Sequence, residues 1–384
     1  MRILFCCNTL HGFCNFRLDV VEHLIENGNE AVIIYPYKDG DEATLKTLPA
    51  GCRAIECRMS PNGKSIVQDI GYFFRLLRVF KQENPDIIFN YTIKPNIYGG
   101  LAARLKCIPS VAMVPGLGYS FSRKGLFGYV LRKLYVMVLG LAKTVFVLNS
   151  SDLDCLIKAG LNGKRIVLLN GGEGINLKRF PYIEGEFSNP RFLMVSRLLY
   201  DKGYREFVSV AKRVKRIYPD IRFEIVGTIN EHNPTGVPTS ELDADVRSGC
   251  IRYLGYSDDI FRELSDPNTI VVLPSYYREG MNRSLMEACS CGRPVITTNL
   301  PGLREFVVDG ENGFLAESQD VDSLYDKIKA FLELPAESRV LMGYRSRKIA
   351  EARFDVEEVK SVYDKTIERI ISDSDVQKFC QKIN

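Results

Sequence analysis

Two cationic residues follow a short apolar segment near the middle of the chain. Phe192–Val195 has the composition of a buried β-strand, Arg197 and Lys202 come just after it, and Gly203 opens the next helical pattern. Guanidinium and ammonium groups held at the carboxyl end of a strand can bind a diphosphate. The loop is therefore a candidate diphosphate site, and the alternative is a pair of exposed basic residues with no ligand.

Two glutamates surround a second junction between a strand and a helix. An apolar strand at 270–273 leads into a polar loop with Glu279, and a helix predicted from about Arg283 carries Glu287. Both carboxylates can face one ligand, and the N–H groups at the start of the helix can bind a phosphate. The spacing alone does not identify a binding site, because the glutamate content of the chain accounts for such pairs. The alternative is a loop glutamate and a solvated helix glutamate that bind no ligand.

A third candidate follows the first predicted strand, at residues 2–7. We predict a turn from Asn8 to Arg17, in which His11 is the one histidine of the chain that follows a strand. Gly12 would let a substrate approach the backbone closely. A single glycine is a weak signal, and turn geometry explains it equally well.

Several other classes of site are disfavoured. Cys289 and Cys291 have no neighbouring histidine, so they do not resemble a zinc site. The chain has neither Gly-x-Gly-x-x-Gly before a helix nor a Walker loop, which weighs against dinucleotide oxidoreductases and P-loop enzymes. Composition nearly accounts for the Asp-x-Asp pairs, so metal-dependent sugar-nucleotide binding is not indicated. We expect neither a metal site nor a cofactor. Eleven scattered cysteines favour a reducing cytoplasm.

Short β-branched segments alternate with helical periodicity along the 384 residues. At about 100 to 200 residues per domain, the pattern predicts an α/β protein of two Rossmann-like, doubly wound parallel-sheet domains. We expect the domains to span 1–180 and 181–359, with 360–384 packing back on the first. The predicted strands are 2–7, 31–36, 86–90, 110–114, 144–148, 165–169, 191–195, 221–226, 250–254, 269–273 and 293–297.

Open α/β sheets bind ligands at the carboxyl ends of their strands. If the two domains face each other, the site lies in the cleft between them. The segments expected to contribute are 8–15, 90–96, 114–120, 196–202, Gly227, 255–258 and 274–283.

The net charge of +4 conceals an uneven distribution. Residues 1–180 hold 23 basic and 14 acidic residues, a net charge of +9, whereas 181–384 hold 28 and 33, a net charge of −5. Between Asp86 and Asp152 lie eight basic residues and no acidic one. The segment 121–135 mixes cations with aromatic and aliphatic residues, as in helices that lie on anionic membranes. The alternative is a core helix with a basic outer face. No nucleic-acid motif accompanies the patch.

The motifs together resemble a known family. Glu279 to Glu287, followed by Gly-Arg-Pro-Val-Ile, resembles the Glu-x7-Glu motif of the retaining family-4 glycosyltransferases. The segment Ser196–Gly203 resembles that family's cationic loop for the donor phosphates, and Gly174–Phe180 resembles its interdomain segment. This likeness implies a GT-B fold: two Rossmann-like domains facing across a cleft, the donor mainly on the second, and a C-terminal helix crossing back.

The resemblance also implies roles for individual residues. Glu287 would bind the ribose of the donor, and Glu279 the donor sugar. Arg197 and Lys202 would neutralise the diphosphate as it leaves, without a divalent metal. Further donor-binding residues implied are Gly280, Met281, Asn282, Arg283, Tyr256, Gly227 and Gly12.

The N-terminal half is similar to that of bacterial enzymes that extend undecaprenyl-diphosphate-linked sugars. The likeness lies in Asn15–Arg17, in 92–99 and in 116–118. It implies a polyprenyl-diphosphate-linked acceptor, with Arg17 and Lys94 near its diphosphate. The acceptor-binding residues implied are His11, Asn15, Arg17, Lys94, Asn96, Gly116 and Gly118.

Two departures from the family pattern matter. Asn282 replaces a common proline, which leaves the donor sugar open, and no acceptor-side histidine stands near 115–119. The expectation is a retaining hexosyltransferase that uses a UDP-sugar in capsule, O-antigen or other surface-glycan synthesis. It would be cytoplasmic and peripheral on the inner face of the plasma membrane. The alternatives are a sugar-nucleotide epimerase of the same fold and a non-catalytic subunit that binds a sugar nucleotide or lipid-linked glycan.

Overall fold

The chain folds into two compact units, each built around a parallel β-sheet. The computed structural model describes residues 1–60, 65–117, 125–277 and 280–383. The first unit is Met1–Gly174 with Val356–Asn384, and the second is Ile175–Asp355. None of the helices in these described ranges is long and apolar enough to cross a bilayer.

The first unit contains a seven-stranded sheet whose central strands are apolar and buried. Its strands are β1 (Arg2–Cys6), β2 (Glu30–Tyr35), β3 (Cys52–Glu56), β4 (Ile87–Tyr91), β5 (Ser110–Val114), β6 (Thr144–Val147) and β7 (Ile166–Leu168). Its helices are α1 (Leu10–Glu26), α2 (Asp41–Leu45), α3 (Ile66–Glu83), a π-helical segment (Pro95–Gly99) continued by α4 (Gly100–Leu105), α5 (Leu126–Leu139) and α6 (Ser150–Lys158).

The second unit contains a six-stranded sheet. Its strands are β8 (Arg191–Val195), β9 (Arg222–Val226), β10 (Arg252–Tyr253), β11 (Thr269–Leu273), β12 (Val295–Thr298) and β13 (Gly313–Ala316). Its helices are α7 (Tyr204–Lys215), α8 (Thr239–Arg247), α9 (Ile260–Leu264), α10 (Arg283–Ser290), α11 (Val321–Glu333) and α12 (Ala336–Arg353).

The final helix, α13 (Val356–Ile383), belongs to the first unit. Its Tyr363 ring stacks on Phe89 of β4 with 5.1 Å between centroids, and its Asp364 lies 2.7 Å from Nε2 of His23. The first contact fixes α13 to the seven-stranded sheet, and the second fixes it to α1.

The two sheets have the same doubly wound order. The first is β3-β2-β1-β4-β5-β6-β7 and the second is β10-β9-β8-β11-β12-β13, and all pairs are parallel. The direction of winding reverses between β1 and β4 and between β8 and β11. Because ligands of such sheets bind at this reversal, the loops after these four strands are where functional side chains are expected. The sheets confirm the predicted fold class.

The structure corrects the sequence prediction at three elements. Strands β3 and β13 were not predicted, because β3 is an edge strand that contains Arg53 and Glu56, and β13 is an edge strand of only four residues. The turn predicted from Asn8 to Arg17 is wrong, since α1 already begins at Leu10. Thr9 is extended and its carbonyl accepts the backbone N–H of Phe13, so the first helical turn replaces the expected loop.

Candidate functional site

In the second unit, the loops after β8, β9 and β11 pack against one another through glycines. A Cβ on Gly203 would lie 2.2 Å from the carbonyl oxygen of Pro274, and one on Gly227 would lie 1.7 Å from that of Ser196. Gly203 also has a φ of +84°, which only glycine adopts without strain. These two glycines let the three loops come together at the reversal of the sheet.

The two predicted cations occupy different environments in these loops. Arg197 is exposed, whereas Lys202 is buried at the end of a 3₁₀ turn, Tyr200–Lys202. The Lys202 ammonium lies 5.3 Å from the centroid of the Tyr277 ring, a cation–π contact. The carbonyl of Asp201 accepts the backbone N–H groups of Tyr276 and Tyr277. The cationic loop is thus fastened to the loop after β11.

Helix α10 begins beside these loops with a side-chain cap. The Asn282 side chain accepts the backbone N–H of Leu285, and its oxygen also accepts the hydroxyl of Ser284 at 2.7 Å. The same hydroxyl lies 3.0 Å from the carbonyl of Val195 at the end of β8. Asn282, at the position where the family pattern has proline, therefore serves as the N-cap that orients the first turn of α10.

Glu287 is buried one turn into α10 and pairs with Arg283. Nε of Arg283 donates to Oε1 of Glu287 at 2.9 Å. Burial raises the pKa of Glu287, while the guanidinium groups of Arg283 and Arg179 oppose the shift. A buried carboxylate with one oxygen held by an arginine can accept hydroxyl groups of a ligand.

The other donor-side predictions are distributed around this cluster. Gly280 and Met281 precede α10, and Met281 is buried. Tyr256 is 59% exposed after β10, and the hydroxyl of Tyr253 donates to the carbonyl of Gly227 at 2.7 Å. Glu279 lies outside the described residues, as does Gly118 of the acceptor-side set.

In the first unit, three predicted site residues lie on helix α1 and not in the loop where they were expected. His11, Gly12 and Asn15 lie within its first two turns, and the amide of Asn15 is 3.3 Å from Nε2 of His11. A Cβ on Gly12 would lie 2.6 Å from the hydroxyl oxygen of Thr9. His11 and Asn15 are exposed on this helix after β1.

Arg17 is buried and bound within the first unit. Its guanidinium forms an ion pair with Glu173 and lies 4.2 Å over the ring of Tyr91. The hydroxyl of Tyr91 is in turn 3.0 Å from that of Tyr363 on α13. Arg17 therefore joins α1, β4 and the end of the first segment, and its charge is already balanced by a carboxylate.

Lys94 follows β4 and also has a carboxylate partner. Its Nζ is 2.6 Å from Oδ1 of Asp69 on α3, and the hydroxyl of Tyr98 donates to Oδ2 of Asp69 at 3.2 Å. All three side chains are partly buried. Sequence reasoning missed both Asp69 and Glu173 as partners, because they are 25 and 156 residues away from the cations they bind.

Asn96 lies in the π-helical segment and is buried. Its amide nitrogen donates to the carbonyl of Met113 at 2.8 Å and to the hydroxyl of Tyr135 at 3.0 Å. Within the described residues its Oδ1 makes no hydrogen bond. π-Helical turns are frequent at functional sites. Gly116 lies in the neighbouring loop after β5 and is partly exposed.

The described residues hold no group of three or more metal-binding side chains close enough to share an ion. Burial raises the pKa of Cys289 and of Cys291 to about 12, so both remain thiols at neutral pH. The second unit brings together two cations, Arg197 and Lys202, with the buried carboxylate of Glu287 and the capped N-terminus of α10. Such a set suits an anionic ligand that carries hydroxyl groups.

Comparison with known proteins identifies the family. A model described as "Glycosyltransferase Family 4" matches residues 16–172, and one described as "Glycosyl transferases group 1" matches residues 184–349. The chain is 30% identical over 351 residues to the N,N'-diacetylbacillosaminyl-diphospho-undecaprenol alpha-1,3-N-acetylgalactosaminyltransferase of Campylobacter jejuni, with 87% of this chain and 90% of that protein covered. The chain therefore belongs to the family-4, group 1 glycosyltransferases, as the motifs indicated.

Further similarities agree with this assignment. The UDP-Gal:alpha-D-GlcNAc-diphosphoundecaprenol alpha-1,3-galactosyltransferase of Escherichia coli is 26% identical, with 82% of each chain covered. Among solved structures, sucrose-phosphate synthase from Thermosynechococcus elongatus superposes with a TM-score of 0.81 at 18% identity, with 97% of this chain and 99% of that chain covered. Anabaena Alr3699/HepE in complex with UDP gives a TM-score of 0.77 at 17% identity, with 96% and 100% covered. The structural likeness confirms the GT-B fold.

Proposed function

We propose that this glycosyltransferase moves a hexose or N-acetylhexosamine from a UDP-sugar to a polyprenyl-diphosphate-linked glycan, with retention at the anomeric carbon and without a metal ion. The product would enter a bacterial surface polysaccharide, such as capsule or O-antigen, or another lipid-linked glycan. The Campylobacter and Escherichia relatives, both of which are named as transferases that act on undecaprenyl-diphosphate-linked sugars, support this substrate class.

The observation that carries the donor half of the proposal is the cluster at the β8–β11 reversal. Lys202 and Arg197 follow β8, where they would meet the diphosphate and supply the charge that a divalent metal supplies in other transferases. Glu287, held by Arg283, would accept the ribose hydroxyls. Glu279 is expected to meet the sugar hydroxyls, as the family likeness implies.

In the reaction, the bond between the anomeric carbon and the diphosphate oxygen breaks. A bond to the acceptor hydroxyl forms on the same face, so configuration is retained. The acceptor proton passes to the departing diphosphate oxygen, and UDP leaves. This route needs no enzymatic base, in keeping with the lack of a histidine at 115–119. The two cations stabilise the charge that develops on the leaving group.

For the acceptor half, the first unit offers Lys94 and Asn96 after β4, together with His11 and Asn15 at the start of α1. Lys94 would exchange Asp69 for the acceptor diphosphate, and Oδ1 of Asn96 is left to accept a hydrogen bond. Arg17 contributes by holding α1 and β4 in place, because its guanidinium is already bound to Glu173.

Helix α5 supports placement of the first unit on an anionic membrane surface. Tyr129, Leu134 and Met137 are exposed on this helix, alongside Lys133. Apolar side chains mixed with cations are typical of interfacial helices. We therefore propose a cytoplasmic protein that binds the inner face of the membrane, where its lipid-linked acceptor resides.

The proposal is tested with a panel of UDP-sugars and a short-chain polyprenyl-diphosphate sugar, in the presence of EDTA. Transfer is followed by product mass, and the anomeric configuration of the new linkage by NMR. We expect a product one sugar heavier than the acceptor, with an α-linkage from an α-configured donor. An altered UDP-sugar with an unchanged acceptor would indicate an epimerase. Binding of UDP without turnover of any pair would indicate a non-catalytic subunit.

A further inference from the structure

Helix α3 presents an apolar face to solvent. Ile66, Val67, Ile70 and Phe74 are 75%, 80%, 50% and 62% exposed, respectively. Three of these residues recur every four positions, so they share one side of the helix. The opposite side is buried through Tyr72, Leu76 and Phe80, which belong to the core of the first unit. Within the part of the chain that the structure describes, these four side chains therefore leave half or more of their surface outside the packing of the first unit.

Basic residues follow this apolar face along α3, and the two acidic residues of the helix form ion pairs with basic side chains of other elements. Between Asp69 and Glu83 the helix has three basic residues and no acidic one, and Arg78 and Lys81 are exposed. Asp69 pairs with Lys94, and Glu83 pairs with Arg53 at 2.8 Å. A helix with apolar side chains at one end and exposed basic side chains further along suits an anionic bilayer, in which negative headgroups cover apolar acyl chains.

We propose that α3 is a lipid-contacting helix: Ile66, Val67, Ile70 and Phe74 enter the boundary between the headgroups and acyl chains of an anionic bilayer, with Arg78 and Lys81 among the headgroups. Contact with a second copy of the chain explains this face less well than contact with lipid. Stable interfaces bury at least about 1,000 Å², which is more than four side chains on three turns supply.

The position of α3 links this surface to the acceptor side of the enzyme. Its Asp69 lies 2.6 Å from Nζ of Lys94, the residue that we assign to the acceptor diphosphate. This link rests on the proposed function, whereas the lipid contact does not. Insertion of α3 would hold Lys94 close to the membrane surface, at the depth where a polyprenyl-linked diphosphate is found.

The absence of tryptophan from the chain makes a direct test simple. In Phe74→Trp the new indole is the sole tryptophan, and its emission is followed on adding vesicles of phosphatidylcholine with or without phosphatidylglycerol. We expect a blue shift and quenching by brominated acyl chains with the anionic vesicles, and weaker changes with phosphatidylcholine alone. The matched control is Ile217→Trp in the second unit, at a residue that is 58% exposed, where no shift is expected.

A second variant measures the contribution of the face. Ile66→Ser with Ile70→Ser should weaken partition into anionic vesicles by about ten-fold or more, because two apolar side chains no longer leave water. Transfer to a water-soluble short-chain acceptor should be unchanged. Unaltered partition, or equal binding to neutral vesicles, would overturn the proposal. A concentration-dependent dimer that the double substitution abolishes would show that a second copy covers α3. Since vesicle binding needs no sugar donor, it remains decisive if the proposed transfer reaction fails.

Discussion

The two units have the same strand order around the reversal of the sheet, yet they hold their cations differently. In the second unit, Lys202 lies beside an aromatic ring and Arg197 is exposed. In the first unit, Arg17 and Lys94 are each paired with a carboxylate of the same unit. Similar topology thus places cations after equivalent strands, but the groups around them differ: an aromatic ring lies next to Lys202, and carboxylates lie next to Arg17 and Lys94.

The two units also differ in the large apolar side chains that they expose to solvent. Helices α3 and α5 of the first unit expose clusters of large apolar side chains with basic neighbours. In the second unit, exposed large apolar residues form smaller groups, such as Ile217 with Tyr218 and Leu341 with Tyr344. The excess of positive charge and the larger groups of exposed apolar side chains therefore fall on the same unit, in keeping with the membrane contact that we propose for it.

The largest expected effect concerns the buried ion pair of the first unit. Arg17→Met leaves Glu173 buried without its guanidinium and should lower the free energy of unfolding by about 3–5 kcal/mol. The double variant Arg17→Met with Glu173→Leu should regain most of this loss, measured by urea unfolding. If the double variant is stable but its acceptor KM rises steeply, Arg17 is a substrate ligand and the contrast between the units fails.

The next effect concerns the second unit. Lys202→Ala should lower kcat by about 10²–10³-fold, because it removes a preorganised charge from the leaving group. Steady-state kinetics measure the loss, and unchanged urea unfolding shows that the fold is intact. The control is Lys329→Ala on α11, whose side chain forms an exposed pair with Glu333. A near-normal rate in Lys202→Ala, and likewise in Arg197→Ala, would remove the diphosphate assignment.

Glu287→Gln should raise the KM for the UDP-sugar by about 10–100-fold, since a charged acceptor of hydroxyl groups is replaced by a neutral one. Because burial raises the pKa of Glu287, its carboxylate protonates at a higher pH than an ordinary glutamate. In the unsubstituted enzyme, donor KM should therefore increase as the pH is lowered, and this increase should be absent from Glu287→Gln. A parallel pH profile in both proteins would contradict the ribose assignment.

The smallest effect concerns the charge of α5. Arg132→Gln and Lys133→Gln should each weaken binding to phosphatidylglycerol vesicles by about 1 kcal/mol, or about five-fold. Vesicle sedimentation at low and high salt measures the change, which should shrink as salt screens the charges. Lys329→Gln in the second unit is the matched control. Equal binding by all three variants would show that charge on this helix does not contribute.

Much of the fold was predictable because parallel sheets bury continuous apolar strands. The predictions for β1, β8 and β11 are within one residue of the observed bounds. The edge strands β3 and β13 were missed because an edge position tolerates polar or short sequences. The start of α1 was misplaced because His11 and Gly12 resemble a loop, whereas Phe13 packs 5.5 Å from the ring of Phe5 and draws this segment into the helix.

The sequence alone determined the family, the two doubly wound sheets and the candidate residues, since motifs and apolar periodicity are local properties of the chain. The tertiary structure decided the state of each charge. Only folding brings Glu173 to Arg17 and Asp69 to Lys94, and only folding buries Glu287 beside Arg283. Glu173 and Asp69 are distant in sequence from the cations that they bind, and the burial of Glu287 depends on tertiary packing. Electrostatic free energies depend on the distance between charges and on desolvation, and not on position along the chain.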